Sequence, residues 1–343
     1  MKLLKWGKTP KGFLRLNFGE NPNIFSPAFK AAQEECGNMN FYPDSEKIEL
    51  RTLLSEQENV KIENIFIGNG IDGLIELTTK VFINSGNEVL LPSPTFPAYI
   101  AATELMGGTI ISCLLEEDFN LNFKEFISKI SSKTKLIFLA NPNNPTGNIL
   151  MTPKQIEKIL QNYAGILAVD EAYFEFSNVT VLPLIKKYKN LIVFRGFSKA
   201  YGIAGLRIGA AFADAEVLQF FQKAEGSSQV FSVNRIALSA AKSVLENKKE
   251  SEEFIQLFLE QKKEFEQRLM DIPDVQVFPT KTCVSLFSTP LSSKIFNEKM
   301  ANQCIAMKSM SLFENCPENL IMSAIPPKEE FNRVIKAIKK SLS

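Results

Sequence analysis

Short apolar runs alternate with amphipathic stretches along the first two-thirds of this chain. Residues 70–83 carry apolar side chains at helical spacing, and residues 88–92 read as a buried strand that Pro92 stops. Helix 95–107, strand 109–115, helix 122–131, strand 135–140, helix 152–163 and strand 165–169 follow, and strands 190–194 and 206–212 come later. Continuously apolar strands separated by helices predict a mostly parallel sheet covered on both faces. The pattern changes near residue 240. Residues 242–271 read as one long charged amphipathic helix, followed by short strands near 274–278, 283–287 and 320–325 and a last helix at 327–341. That C-terminal part is expected to be a smaller α+β unit.

Length agrees with this division, since 343 residues exceed one ordinary domain of roughly 100–200 residues. With 45% hydrophobic and 22% charged residues the chain is globular rather than disordered, collagen-like or coiled-coil. Lys+Arg number 39 against 38 Asp+Glu, and this balance gives no reason to expect nucleic acid or an anionic membrane as partner. No apolar run reaches about 18 residues, so no membrane span is expected, and the N-terminus has no apolar core of signal-peptide length. The five cysteines form no CxxC pair, which argues against a cysteine-held metal, and their odd number in a large chain argues for a reduced, cytoplasmic protein.

The chain contains no histidine. Ser-His-Asp and Cys-His catalysis and histidine-ligated zinc are thereby excluded, and proton transfer must fall to Lys, Tyr, Asp, Glu or Cys.

Four features carry candidate chemistry. Gly68-Asn69-Gly70-Ile71-Asp72-Gly73 fits G-x-G-x-x-G between a strand-like stretch and a helix. A dinucleotide site needs an acidic residue at the end of the next strand, and here that strand runs into Pro92-Ser93-Pro94. What survives is a helix start whose backbone N–H groups suit a phosphate. Asn141-Pro142-Asn143-Asn144-Pro145-Thr146-Gly147 follows strand 135–140, either as ligand loop or as a plain turn into a helix with Thr152 as N-cap and Pro153 at its first position. Asp170, Glu171 and Tyr173 end strand 165–169, as site groups or as a solvated turn. Ser198 and Lys199 follow strand 190–194, with Arg207 in Gly205-Leu206-Arg207-Ile208-Gly209, as amine and anion clamp or as solvated charges. All four fall at the carboxyl ends of strands, where an open α/β sheet builds its site. Together they supply what a pyridoxal phosphate site needs.

The combination NPNNPTG, DEAY and SK with GLRIG resembles the class I/II (fold type I) aminotransferases, and within them the histidinol-phosphate aminotransferase branch. Leu16-Asn17-Phe18-Gly19-Glu20-Asn21-Pro22, Tyr42-Pro43-Asp44 and Pro94-Thr95-Phe96 extend the resemblance, which runs from about residue 14 to the C-terminus. It implies a large domain around a mostly parallel seven-stranded sheet and a small α+β domain built from both chain ends, with boundaries expected at 1–37, 38–240 and 241–343. It implies pyridoxal 5'-phosphate held by Lys199 as the Schiff-base lysine and proton shuttle, with Asp170 on the pyridine nitrogen. Tyr173 and Asn144 then face the ring's phenolic oxygen and Phe96 the ring face. Ser198, Arg207 and the N–H groups of Ile71 and Asp72 take the phosphate. Tyr42 is expected to reach the cofactor of a neighbouring subunit, which implies a homodimer with shared sites.

The implied reaction moves an amino group between a small amine or amino acid and a 2-oxo acid or other carbonyl. Two alternatives stay open: a decarboxylase resembling the threonine-phosphate decarboxylases, and a non-catalytic binding module, against which the intact Lys199, Asp170 and Arg207 argue. Three departures matter. Gly196 stands where the family often carries Ser or Thr for the phosphate, and the N-terminal arm Trp6-Gly7-Lys8-Thr9-Pro10-Lys11 lacks a tyrosine that the branch uses on substrate phosphate. Met322 falls where a C-terminal arginine grips the substrate's α-carboxylate. Either another cation, Lys328 or Arg15, takes over, or the main substrate has no α-carboxylate in the usual place.

Overall fold

The computed structural model describes residues 9–228 and 230–343. Among the described residues thirteen strands, numbered in chain order, form three sheets. The largest holds β2 (Ile65–Gly68), β3 (Glu88–Ser93), β4 (Thr109–Leu114), β5 (Thr134–Ala140), β6 (Ile166–Asp170), β7 (Leu191–Gly196) and β8 (Gly209–Ala213). Their order is β2-β8-β7-β6-β5-β3-β4, and β8 alone runs against its neighbours. Strands β5 to β8 are almost wholly buried, as continuous apolar runs in a doubly covered sheet must be. One apolar core fills the space around Ile137, Val169, Val193 and Phe212, and a second lies on the other face around Phe138, Phe194 and Ala211.

Beyond this sheet, β9 (Gln276–Phe278), β10 (Val284–Ser288), β12 (Lys308–Ser309) and β13 (Leu320–Ala324) form an antiparallel sheet in the order β12-β13-β10-β9. The short β1 (Leu14–Arg15) pairs in parallel with β11 (Ile305–Ala306). Both chain ends thus meet, and Leu16 shares an apolar core with Phe258, Phe265, Leu286 and Phe331.

Predicted and observed elements differ informatively at three places. Residues 242–271 are two helices, Arg235–Glu246 and Lys248–Met270, separated at Asn247, whose side chain bonds back to the Ser243 carbonyl at 2.8 Å. Charge alternation runs through the break and hides it, while the true start is Asn234, which caps the Ala237 N–H. The strand expected from residue 206 begins at Gly209, because Arg207 sits at φ 55° after a short 3-10 turn. The helix expected from 327 opens with a 3-10 turn, Lys328–Glu330, before Phe331–Leu342. By contrast Thr152 and Pro153 start Pro153–Asn162 as expected, with Gln155 completing a capping box.

Candidate functional site

The carboxyl ends of β5, β6 and β7 open into one cavity of about 330 Å³, which Arg15, Phe18 and Glu20 of the N-terminal segment also line. The cavity lies within the size range of small-ligand sites. Ile71, Asp72, Phe96, Asn144, Asp170, Tyr173, Ser198, Lys199 and Arg207, all singled out from sequence, line it. Tyr42 does not: it lies on the surface, 78% exposed, with its ring stacked on Phe231 at 4.5 Å. Trp6, Gly7 and Lys8 of the N-terminal arm lie outside the described residues.

One end of the cavity is built for an anion. The helix Gly70–Phe82 starts there, and its first-turn N–H groups have no intrahelical acceptor. Gly70 has φ +67°, and a Cβ on it would stand 2.7 Å from Arg207 Nη2. Only a glycine allows the guanidinium this close. Arg207 donates to Asp72 Oδ2 at 2.8 Å and to Ser198 Oγ at 3.4 Å. Gly196 has its own steric logic: a Cβ would meet Ile71 Cδ1 at 3.0 Å, so the isoleucine occupies space that a larger residue 196 needs.

Asp170, the last residue of β6, forms the buried floor. Tyr99 donates to its Oδ2 at 2.7 Å and the Ala172 N–H to its Oδ1 at 2.9 Å. Burial pushes its carboxyl up to about 6, against the downward pull of these two hydrogen bonds. Tyr173 is buried beside it, and burial, then the charges of Cys283 and Asp170, hold its phenol well above the usual range. It therefore stays a neutral donor. Glu171, the other carboxylate of the motif, points away and pairs with Arg195 Nε at 2.7 Å in the interior.

The three asparagines of the 141–147 loop divide their work. Asn141 accepts from the Leu150 N–H at 2.8 Å, and Asn143 donates to the Pro94 carbonyl at 3.0 Å and to Thr146 Oγ1 at 2.8 Å. Both hold the loop, and Asn144 lines the cavity. Lys199 Nζ donates to the Gly19 carbonyl at 2.8 Å, which also accepts from Cys283 Sγ at 3.3 Å. The N-terminal segment and the C-terminal sheet thus meet at the lysine.

Tyr99 escaped sequence reading. Its signal was its place one helical turn after Phe96, whose ring it meets edge-on at 5.7 Å while stacking on Phe138 at 4.7 Å. Arg15, Phe18 and Glu20 also line the cavity, with Arg15 paired to Glu20 at 2.5 Å. Lys328 is turned elsewhere, to Glu264 at 3.1 Å, with its side chain 64% exposed.

The profile of the family described as Aminotransferase class I and II matches residues 11–338. A histidinol-phosphate aminotransferase of Methanosarcina barkeri is 31% identical over 335 residues, 97% of this chain and 89% of the relative. Another, from a Thermoanaerobacter species, is 39% identical over 250 residues, 72% of this chain and 70% of the relative. The crystal structure of histidinol-phosphate aminotransferase from Sinorhizobium meliloti in complex with pyridoxal-5'-phosphate superposes with a TM-score of 0.87 at 21% identity, covering 96% of this chain and 91% of that one.

Proposed function

The chain belongs to the class I and II aminotransferases and is a pyridoxal-phosphate-dependent transaminase, and from that premise we propose that it moves an amino group between a histidinol-phosphate-like amine or small amino acid and a 2-oxo acid. The observation that carries this reading is the convergence of an amine (Lys199), a buried carboxylate (Asp170) and a neutral phenol (Tyr173) in a cavity with a phosphate-ready helix start.

The residues present fit the cofactor. The close approach of the Arg207 guanidinium to the helix start, which Gly70 permits, suits its phosphate, and the buried Asp170 carboxylate suits a protonated ring nitrogen. Arg207, Ser198 and the N–H groups of Ile71 and Asp72 would hold the phosphate, Phe96 would lie against the ring, and Asn144 and Tyr173 would serve its phenolic oxygen. When bound, pyridoxal 5'-phosphate supplies the electron sink that lets a proton leave the carbon bearing the amino group. Lys199 removes that proton and returns it, which a chain without histidine does with an amine. Tyr99 keeps Asp170 aimed by its 2.7 Å hydrogen bond. Arg15, Phe18 and Glu20 line the substrate side.

The raised Asp170 carboxyl predicts a pH effect on the cofactor-free protein. Its contribution to stability is full below the unfolded carboxyl value of about 4 and is lost as pH rises through about 6. Asp170→Asn cannot ionise. The midpoint of thermal unfolding of the cofactor-free variant should gain on wild type across that window. Parallel pH profiles of the two midpoints would remove the uncompensated buried charge from the account.

The reading includes a large unit carrying the seven-stranded sheet and a small unit from both chain ends. Its boundaries are those expected from the sequence, 38–240 for the large unit and 1–37 with 241–343 for the small one, and a separate apolar cluster around Phe258, Leu286 and Phe331 supports the small unit. It also includes a homodimer: Tyr42 shares a surface region with exposed Met39 and Phe41 and with Phe231. Tyr42→Ala and Lys199→Ala chains, each inactive or impaired alone, should restore one working site per mixed dimer. Mixed dimers no better than the parents would show that Tyr42 serves its own chain. A cytoplasmic location belongs to the same reading. It is supported by the five free cysteines and by the absence, among the described residues, of a helix long and apolar enough to cross a membrane.

The test of function is a panel of amino donors, histidinol phosphate included, offered to the purified holoenzyme, with loss of the cofactor's bound absorbance as readout. Transfer without CO₂ release is expected. Stoichiometric CO₂ release would replace transamination by decarboxylation.

A further inference from the structure

Transfer to or from a 2-oxo acid requires a place for a carboxylate, and Met322, where sequence comparison led us to expect an arginine, cannot provide it. Met322 is 5% exposed, shares an apolar core with Leu16 and Leu286, and does not line the cavity. Among the described residues the cations that line the cavity are Lys199, Arg207 and Arg15. Lys199 is the Schiff-base lysine of the transaminase reading, and Arg207 stands against the start of the helix Gly70–Phe82 at the anion end. Arg15 is the third, beside Phe18 and Glu20.

The backbone fixes where the Arg15 side chain starts. The Leu14 and Leu16 N–H groups donate to the Cys304 and Ala306 carbonyls at 2.8 Å each, and the Leu16 carbonyl accepts from the Ala324 N–H at 2.8 Å, two residues beyond Met322. Strand β1 thus lies beside the end of β13, the strand from which the arginine is missing. Leu16 is buried, so alternation turns Arg15 the other way, out of the core. The Arg15 side chain is 54% exposed, and its guanidinium lies 5.7 Å from the centre of the Phe18 ring.

In this position the guanidinium already holds a carboxylate. Arg15 Nη2 donates to Glu20 Oε1 at 2.5 Å, and both residues line the same cavity. Glu20 follows Gly19, whose carbonyl accepts from Lys199 Nζ at 2.8 Å, so the pair begins one residue from the contact made by the catalytic amine. A half-exposed ion pair of this kind holds weakly. An arginine fork also carries enough donors to take a second carboxylate in its place.

We infer that Arg15 binds the carboxylate of the amino-acid or 2-oxo-acid substrate from β1, in place of the missing arginine on β13, and that Glu20 holds the guanidinium until that carboxylate displaces it. The inference rests on the transaminase reading above and adds a specificity-determining pair to it. The two side chains act in opposite senses: Arg15 attracts the carboxylate and Glu20 competes with it.

The test compares wild-type holoenzyme with Arg15→Gln, Arg15→Lys, Glu20→Gln and the double variant Arg15→Gln, Glu20→Gln. Spectral titration measures binding of 2-aminoisobutyrate and of tert-butylamine, which differ by a carboxylate in place of a methyl. Donor kinetics measure kcat/KM for the best amino acid of the panel, for its decarboxylated amine and for histidinol phosphate. The acid-to-amine ratio should fall about tenfold or more in Arg15→Gln and recover in part in Arg15→Lys. It should rise about two- to fivefold in Glu20→Gln and not in the double variant. In wild type, 2-aminoisobutyrate should shield Arg15 from a dicarbonyl reagent while tert-butylamine does not, a readout that needs no variant to fold. An unchanged ratio in Arg15→Gln, equal losses for acid and amine, no rise in Glu20→Gln, or no shielding overturns the inference. A loss confined to histidinol phosphate assigns Arg15 to a phosphate and overturns it too. Failure of every donor to react, with the binding preference intact, sinks the transaminase reading and leaves the Arg15 contact standing.

Discussion

Lys199→Ala should abolish transamination, lowering turnover by more than about four orders of magnitude. The change removes two things at once: the covalent anchor for the cofactor and the base that moves the proton. General-base removal alone costs about 10²–10⁴-fold. The fold should survive. The hydrogen bond to Gly19 is lost, yet that carbonyl keeps Cys283 Sγ as a donor, so the stability cost is about 1 kcal/mol. The cofactor should still bind without a covalent link, because Arg207, Ser198 and the start of the helix Gly70–Phe82 are untouched. Borohydride reduction of the wild-type holoenzyme should leave the cofactor on the peptide containing Lys199, and the variant should carry none. Label on another lysine would refute the assignment.

Asp170→Asn should leave cofactor affinity within about tenfold and slow proton removal by about 10²–10³-fold. An amide keeps the shape and the Tyr99 contact but cannot hold a protonated ring nitrogen, so the electron sink weakens. The site is dry, with Asp170 at 5% exposure, and water cannot substitute for the lost charge. Single-turnover kinetics with a deuterated donor isolate the step: the isotope effect should grow as proton removal becomes limiting. Near-normal single-turnover rates would contradict the pairing. Tyr99→Phe should show a weaker form of the same defect, since it frees Asp170 to rotate without removing its charge.

Local pattern made the alternation of strands and helices readable because a doubly covered parallel sheet needs unbroken apolar strands, and β5, β6 and β7 have them. The site was readable for a related reason. Its residues follow the carboxyl ends of those strands, so locating the strands located Asn144, Asp170 and Lys199. The absence of histidine narrowed the proton carrier to Lys, Tyr, Asp, Glu or Cys before any fold was known, and the family resemblance then pointed to Lys199.

Contacts distant in sequence decided the rest. Tyr99 reaches Asp170 across 71 positions, and Lys199 reaches Gly19 across 180. Asn141, Asn143 and Asn144 look alike in one motif, and only the packing of the loop turns two inward as braces. The short strands β1, β11 and β12 carry too few residues to show a period, so the pairing that brings both chain ends together was invisible. Periodicity records which face of its own element a residue occupies; what that face meets is decided when strands from distant parts of the chain align.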